Sequence, residues 1–303
     1  MSVQPCAAQR NLFDFQQYGP REWSAKLAVD RENSFFFDHE LDHVPAMLII
    51  EGALQAAEAA QARSDRAARR PGHAVWTSEF SFSFHSFCEF SPPAEIRVAG
   101  GDGWEGQWAL TVTQQHTAVS GGIRVRRSPR PERSVPRPRR HTPAVHRRDQ
   151  WLAKLAHRHH PENLLIGAPR QITPDHQMFD VLPAPEHHFL RTGGGDQRTM
   201  TELVEAVRQA AVTGMHRQGV PMGHEFVLTS ITAWIDRPLS RNEPVRLDAR
   251  RVPGERPRHT GLFCLLAPDS CVGEVRVTGR IVPPAVYHRL RAMNRTALAQ
   301  GAR

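Results

Sequence analysis

From Met47 to Leu54 apolar side chains fill nearly every position of MLIIEGAL, with Glu51 the exception. A helix that is apolar on most faces is a buried helix. A second such run, MTELVEAVRQAAVTG, predicts another at about 200–217. Elsewhere the period falls to two. HAVWTSEFSFSFHSFCEF (73–90) alternates Phe80, Phe82 and Phe84 with polar neighbours, the pattern of a strand with one buried face. WSAKLAVD precedes the first helix as a strand, and EIRVAGG, WALTVTQQ and AVSGGIRVRR follow as short strands between Gly-rich turns. After the second helix, HEFVLTSITAWI, PVRLDARRV, HTGLFCLLA and CVGEVRVTGRIV repeat the theme. Each half therefore has an early strand, a long apolar helix, then about four antiparallel strands. An α+β layout, with a curved antiparallel sheet wrapped around the helix, buries both apolar faces. The final YHRLRAMNRTALAQ predicts a surface helix.

The two helices also match in wording. MLIIEGALQAA (47–57) and TELVEAVRQAA (201–211) share E-x-x-x-Q-A-A, which pairs Glu51 with Gln55 and Glu205 with Gln209. A spacing of four places each pair on one helix face. An aromatic residue and a His precede both helices, in Phe35–His39 and Glu186–Phe189. The expected organisation is an N-terminal tail (1–18), a first domain (19–127), a linker (128–144), a second domain (145–285) and a C-terminal helix or tail (286–303).

Charge changes this picture little. The net charge is +8, but residues 126–143 hold seven Arg, one Glu and five Pro, so +6 of it lies in one stretch. Such a segment packs no core and is expected as an extended, solvated spacer, so no nucleic-acid partner is expected. No apolar run approaches the roughly 18–20 residues that span a bilayer. MSVQPCAAQRNLFDF lacks the basic-then-apolar layout of a signal peptide, so a cytoplasmic protein with no membrane partner is expected. Cys6, Cys88, Cys264 and Cys271 form no C-x-x-C pair and are expected as thiols. Asp38, His39, Asp42 and His43 crowd into six residues, short of a tetrahedral ligand set, and no metal or cofactor is expected. The HRHH cluster, residues 157–160, is expected as an exposed polar stretch, and His224 as shaping a strand start.

The candidate chemistry centres on the paired carboxylates. A buried carboxylate neutralises, pairs or reacts. Burial should raise the pKa of Glu51 and suit it to proton transfer near neutral pH; the alternative is a structural carboxylate hydrogen-bonded near its helix start. Arg208, one turn from Glu205, should instead keep that carboxylate ionised and offer a cation for a phosphate or a carbonyl oxygen. Helix amides after Pro45, around Ala46 and Met47, favour an anion or a polarised thioester carbonyl.

FFFDHELDHVPAMLIIEGALQ resembles the segment leading into the helix of 3-hydroxyacyl carrier-protein dehydratases, which have the hotdog fold. D-H-V-P-x-M-L-x-x-E is closer to the A-factor biosynthesis (AfsA) family, whose members carry two hotdog repeats. One family repeat typically reads DHVPGMLLLEAARQA; the other reads like LLIAETLRQA followed by GVPLGHQF. Here MTELVEAVRQAA is followed by GVPMGHEF (219–226), so both repeats are matched, in reversed order. In the first repeat the family's Arg is Leu54 and its Gly is Ala46.

The resemblance implies two tandem hotdog domains forming an intramolecular pseudo-dimer, as a monomer or in a homo-oligomer. It implies an acyltransferase of γ-butyrolactone-type signal biosynthesis, acting on an acyl carrier protein thioester (or acyl-CoA) of a 3-oxo acid and on dihydroxyacetone phosphate. The alternatives are a 3-hydroxyacyl thioester dehydratase and a catalytically silent thioester-binding protein. By analogy with dimeric dehydratases, His39 would work with Glu205 and His187 with Glu51. Gln55, Gln209, Ala46 and Met47 would line the substrate site.

Overall fold

The computed structural model describes residues 11–67, 73–100, 106–129, 149–173, 175–191, 196–252, 258–268 and 270–301. Cys6 and most of the Arg/Pro-rich stretch, 130–148, lie outside them. The first half contributes β1 (Leu12–Gly19), β2 (Glu22–Leu27), α1 (Ala46–Ala67), β3 (His73–Phe84), β4 (Glu95–Gly100), β5 (Gln107–Gln114) and β6 (His116–Pro129). The short α2 (Gln150–Leu155) follows, then β7 (Arg170–Thr173), β8 (His176–Val181), α3 (Met200–Arg217), β9 (Glu225–Ile235), β10 (Val245–Val252), β11 (Arg258–Leu266) and β12 (Cys271–Val282). The chain closes on α4 (Pro284–Gly301).

The strands of the described residues form one twelve-stranded sheet in the order β1-β2-β4-β5-β6-β3-β9-β12-β11-β10-β8-β7. Read outward from the centre, β3-β6-β5-β4-β2-β1 mirrors β9-β12-β11-β10-β8-β7. The chain is thus two tandem hotdog domains, joined as a pseudo-dimer where β3 pairs antiparallel with β9, Ser81 opposite Thr232 and Ser83 opposite Ser230.

Each half buries its long helix against its part of the sheet. Leu48, Ile50, Ala53 and Ala57 of α1 are at most 1% exposed. Gly52 marks the close approach: a Cβ there would sit 2.6 Å from Leu27 and 3.0 Å from Ile96. Leu203, Ala206, Val207 and Ala210 do the same work in α3. Thr199 caps α3 by accepting a hydrogen bond from the Glu202 amide. Phe80 and Phe82 are core residues, and Phe84 is partly buried at a cavity wall.

Three features differ from the sequence expectations. Strand β1 begins inside the segment expected as an N-terminal tail, because Phe13 and Phe15 alternate in a hairpin with β2. Cys264 and Cys271 form a disulfide, since adjacent β11 and β12 bring their Cα atoms to 6.2 Å. Helix α4 has a buried face: Arg291 is 2% exposed and donates to Asp42 and to both carboxylate oxygens of Glu89.

Candidate active site

The twin carboxylates occupy unlike surroundings. On α1, Glu51 accepts from Gln55 Nε2 at 2.7 Å and from the Thr201 hydroxyl of α3. No cation faces it. Burial pushes its pKa up, against the pull of those two hydrogen bonds. Two turns further on, Glu58 accepts from the Thr77 amide and hydroxyl at 2.9 and 2.8 Å. Burial, with Glu51 nearby, raises Glu58 to about 7.

On α3, Glu205 is fully buried between two guanidinium groups. Arg208 donates through Nε at 2.8 Å and Nη2 at 2.9 Å. Arg158 donates through Nε at 3.1 Å and Nη2 at 2.5 Å. Gln209 Nε2 adds a contact at 2.7 Å. Burial alone would raise Glu205, but the charges of Arg158 and Arg208 outweigh it and hold the carboxyl down to about 2.

Arg158 also ties the halves together. Its Nη1 donates to the Phe35 carbonyl at 2.7 Å and reaches Asp38 at 3.4 Å. Asp38 in turn accepts from the His159 and His160 amides at 3.2 and 2.9 Å. The HRHH stretch is therefore not simply exposed: Arg158 is 6% exposed, while His159 and His160 face solvent. Its burial follows from the turn after α2, where the Arg158 amide donates to the Ala153 carbonyl and turns the side chain inward.

The glutamines are anchors. Gln209 Oε1 accepts from the Leu165 amide and its Nε2 donates to the Asn163 carbonyl. In the other half Gln55 Oε1 accepts from the Asn11 amide. Each E-x-x-x-Q pair thus fixes the carboxylate to the segment leading into its half's first strands.

A cavity of about 820 Å³ runs between α3 and strands β9–β12, closed on one side by the loop before α1. That volume suits an acyl chain with a polar head. Val204, Ala211, Ile231, Phe263 and Val277 give it apolar walls, while His39, His157, Arg158 and Arg208 give it a polar end. Ala46 and Met47 line it at the first turn of α1, where amides lack an acceptor within the helix. Neither Glu51 nor Glu205 is among the lining residues. The structure thus brings His39, Arg208, Ala46 and Met47 to one cavity, with Glu205 and Gln209 directly behind Arg208.

His39 has a buried Nδ1 with no hydrogen-bond partner. Burial, then Arg208, His159 and Arg158, lowers its pKa, with Asp38 opposing, so it is a neutral imidazole at neutral pH. His187 is exposed and joins neither the cavity wall nor Glu51; its neighbour His188 is buried instead, bonded to Asn163 and edge-on to Phe35. Arg158 and His157 are the site residues that the sequence reading passed over. The one signal for them is a lone Arg among His residues directly after the amphipathic QWLAKLA. Among the described residues no cluster of His, Cys, Asp and Glu suits a metal ion.

The sequence profile of the A-factor biosynthesis hotdog domain matches residues 11–121 and 145–283. A Streptomyces virginiae protein, described as 2-oxo-3-(phosphooxy)propyl 3-oxoalkanoate synthase, is 30% identical over 103 residues. That match spans 33% of this chain and 31% of the relative. Among solved structures, a dehydratase domain of the curacin polyketide synthase superposes with a TM-score of 0.59 at 13% identity, covering 92% of this chain and 99% of that one. The bifunctional dehydratase-cyclase domain of ambruticin biosynthesis gives 0.56 at 12% identity, over 94% and 99%. The tesB protein of Mycobacterium avium subsp. paratuberculosis gives 0.51 at 13% identity, over 89% and 96%. At these identities the likeness is one of fold.

Proposed function

The chain belongs to the A-factor biosynthesis (AfsA) hotdog family, and on that premise we propose that it is an acyltransferase joining a 3-oxoacyl carrier-protein thioester to the hydroxyl of dihydroxyacetone phosphate. The hydroxyl oxygen bonds to the thioester carbon, the C–S bond breaks, and the hydroxyl proton ends on the released thiol. The partially matching relative carries a name that describes such an ester.

The observation that carries the reading is Arg208. Its guanidinium lines the cavity while Glu205 fixes it from behind through two hydrogen bonds. A planar cation held in this way suits a phosphate or the oxygen of a developing tetrahedral centre. His39, neutral and at the same end, is the proposed carrier of the proton to the leaving sulfur. The first-turn amides at Ala46 and Met47 are the proposed partners of the thioester carbonyl, and the apolar stretch takes the acyl chain.

The dehydratase alternative asks for a protonatable carboxyl facing an imidazole across the substrate. Glu205 is held ionised by two guanidiniums, and Glu51 stands outside the cavity wall. Both facts weigh toward acyl transfer. The test is incubation with 3-oxoacyl carrier protein and dihydroxyacetone phosphate, read by mass spectrometry. A phosphorylated ester supports the proposal; intact substrates, or water loss from a 3-hydroxyacyl thioester, overturn it.

A further inference from the structure

The polar end of the cavity holds a second imidazole whose hydrogen-bonding polarity is fixed by its neighbours. His216, near the C-terminus of α3, has its Nδ1 2.8 Å from the Val220 carbonyl. A carbonyl only accepts, so Nδ1 of His216 carries the proton. In the neutral ring its Nε2 is then an acceptor. With both rings neutral, the proton between that Nε2 and His157 Nε2, 2.8 Å away, belongs to His157. The consequence falls on the other side of the ring. Among the described residues no hydrogen bond reaches His157 Nδ1, which then keeps its lone pair, on a residue that lines the cavity.

Three further observations show a built arrangement. Phe226, from the GVPMGHEF motif, packs edge-on against both rings, with centroids at 5.5 and 5.4 Å. The backbone at His157 has φ 55°, the left-handed region that favours glycine. A side chain is thus retained where the turn after α2 would prefer none, and strained residues of this kind cluster at functional sites. The ring also stays neutral: burial, then Arg208, His216 and His39, pushes it down to about 3.

We infer that His157 Nδ1 is the acceptor for the hydroxyl of a small hydroxylated phosphate whose anionic group sits on Arg208, so that the His216–His157 pair selects an alcohol over an analogue lacking the hydroxyl. A ring locked as an acceptor cannot satisfy a donor-less analogue, and a site that loses its hydrogen bond discriminates against that analogue. The inference rests on the acyltransferase reading only for the identity of the alcohol.

The test is calorimetric binding of dihydroxyacetone phosphate against hydroxyacetone phosphate, which keeps the ketone and phosphate but lacks the hydroxyl. The wild-type protein should prefer the hydroxylated compound by a few-fold to about tenfold. His157→Gly suits the left-handed backbone and should keep the fold; the preference should vanish while both compounds still bind through Arg208. His216→Phe keeps the packing with Phe226 but frees His157 to place its proton on either nitrogen, and should lower the preference part-way. Imidazole ¹⁵N spectra of the ligand-free wild type should show the Nε2–H form of His157 and the Nδ1–H form of His216. A His157 protonated on Nδ1, an equal affinity for the two phosphates in the wild type, an unchanged preference in His157→Gly, or no binding of either compound overturns the inference. If the preference behaves as stated yet no ester forms from the thioester, the hydroxyl site stands and the acyltransferase reading falls.

Discussion

Arg158 donates to Glu205 Oε1 through both Nε (3.1 Å) and Nη2 (2.5 Å), and the two side chains, 5% and 0% exposed, come from segments 47 residues apart. Arg158 lines the cavity, Glu205 lies behind it, and the pair is shared: Arg158 also answers Asp38 of the first half, and Glu205 also answers Arg208. Two carboxylates and two guanidiniums therefore balance in a row across the interface of the halves, buried except for part of Arg208. Burying four charges is costly in itself, and the row persists because each member has a partner.

Arg158→Ala removes the central cation and takes the guanidinium from Asp38, whose side chain is 0% exposed and keeps the amides of His159 and His160. Breaking a buried pair from one side costs about 3–5 kcal/mol. We expect a loss of that size in urea unfolding at neutral pH. Arg158→Lys should recover little, because one ammonium cannot serve Phe35, Asp38 and Glu205 together. A lysine variant as stable as the wild type would show that charge alone holds the row.

Arg208→Leu reproduces in the second half what Leu54 already is in the first. The Arg208 side chain is 31% exposed and Glu205 keeps Arg158, so the fold should survive. Loss of a fixed donor to the reacting oxygen or phosphate should lower kcat/KM roughly 100- to 1,000-fold. Steady-state kinetics with the thioester and dihydroxyacetone phosphate check this, with thermal unfolding as the control for folding.

Much of this layout was legible in the chain. Apolar helices broken by period-two runs predicted each half, and the repeated E-x-x-x-Q-A-A predicted the twin carboxylates, because helix and strand periods are local signals. Arg208 was legible beside Glu205 for the same reason, being one turn away. Arg158 was not. Its partners Asp38 and Glu205 are 120 and 47 residues distant, and the His residues around it give no apolar period to mark burial. Arg291 was hidden likewise: α4 reads as a surface helix, and only the return of the chain onto Asp42 and Glu89, 249 and 202 residues away, buries one face of it. His187 and His188 illustrate the opposite limit, since a motif can point at a site while one residue of register decides which ring turns inward.

The carboxylates predict two opposite pH trends in stability. Glu205, held down to about 2 from an ordinary 4.5, contributes stability that is present above pH 4.5 and lost as pH falls toward 2. Glu58, raised from 4.5 to about 7, contributes stability that is present below pH 4.5 and lost as pH rises through 7. At about 1.4 kcal/mol per unit, the Glu58 share is on the order of 3 kcal/mol. Glu58→Gln keeps an acceptor for Thr77, so it should flatten the decline between pH 4.5 and 7. Chemical unfolding of both proteins at a series of pH values reads this directly, and parallel curves would exclude Glu58 as the cause.

Helix α4 contributes Tyr287 and Leu290 to the cavity wall and is pinned by Arg291, whose guanidinium serves Asp42 and Glu89. Asn294 adds an amide contact to Phe87 and Glu89. Arg291→Ala should release the helix, since each hydrogen bond to a charged group contributes about 1.5–3 kcal/mol. Hydrogen exchange should report amide protection in α4 falling about tenfold or more, with the sheet unaffected. Unchanged protection would mean that apolar contacts alone dock the helix.

The sharpest contrast lies between the twins themselves. Burial raises the pKa of Glu51, which among the described residues has no cation beside it, so Glu51→Gln breaks no ion pair and keeps an acceptor for Thr201. Stability should change by about 1 kcal/mol or less, and activity should stay near that of the wild type. Glu205→Gln removes the charge that balances Arg158 and Arg208, and leaves two buried or half-buried guanidiniums facing a neutral amide. That change should cost about 3–5 kcal/mol and, by loosening Arg208, lower kcat more than it changes KM. The identical substitution at identical positions of the repeat thus separates the halves. Equal loss of activity from both variants would mean that Glu51 takes part in the chemistry despite standing outside the cavity wall, and the assignment of the working site to Arg208 would have to be given up.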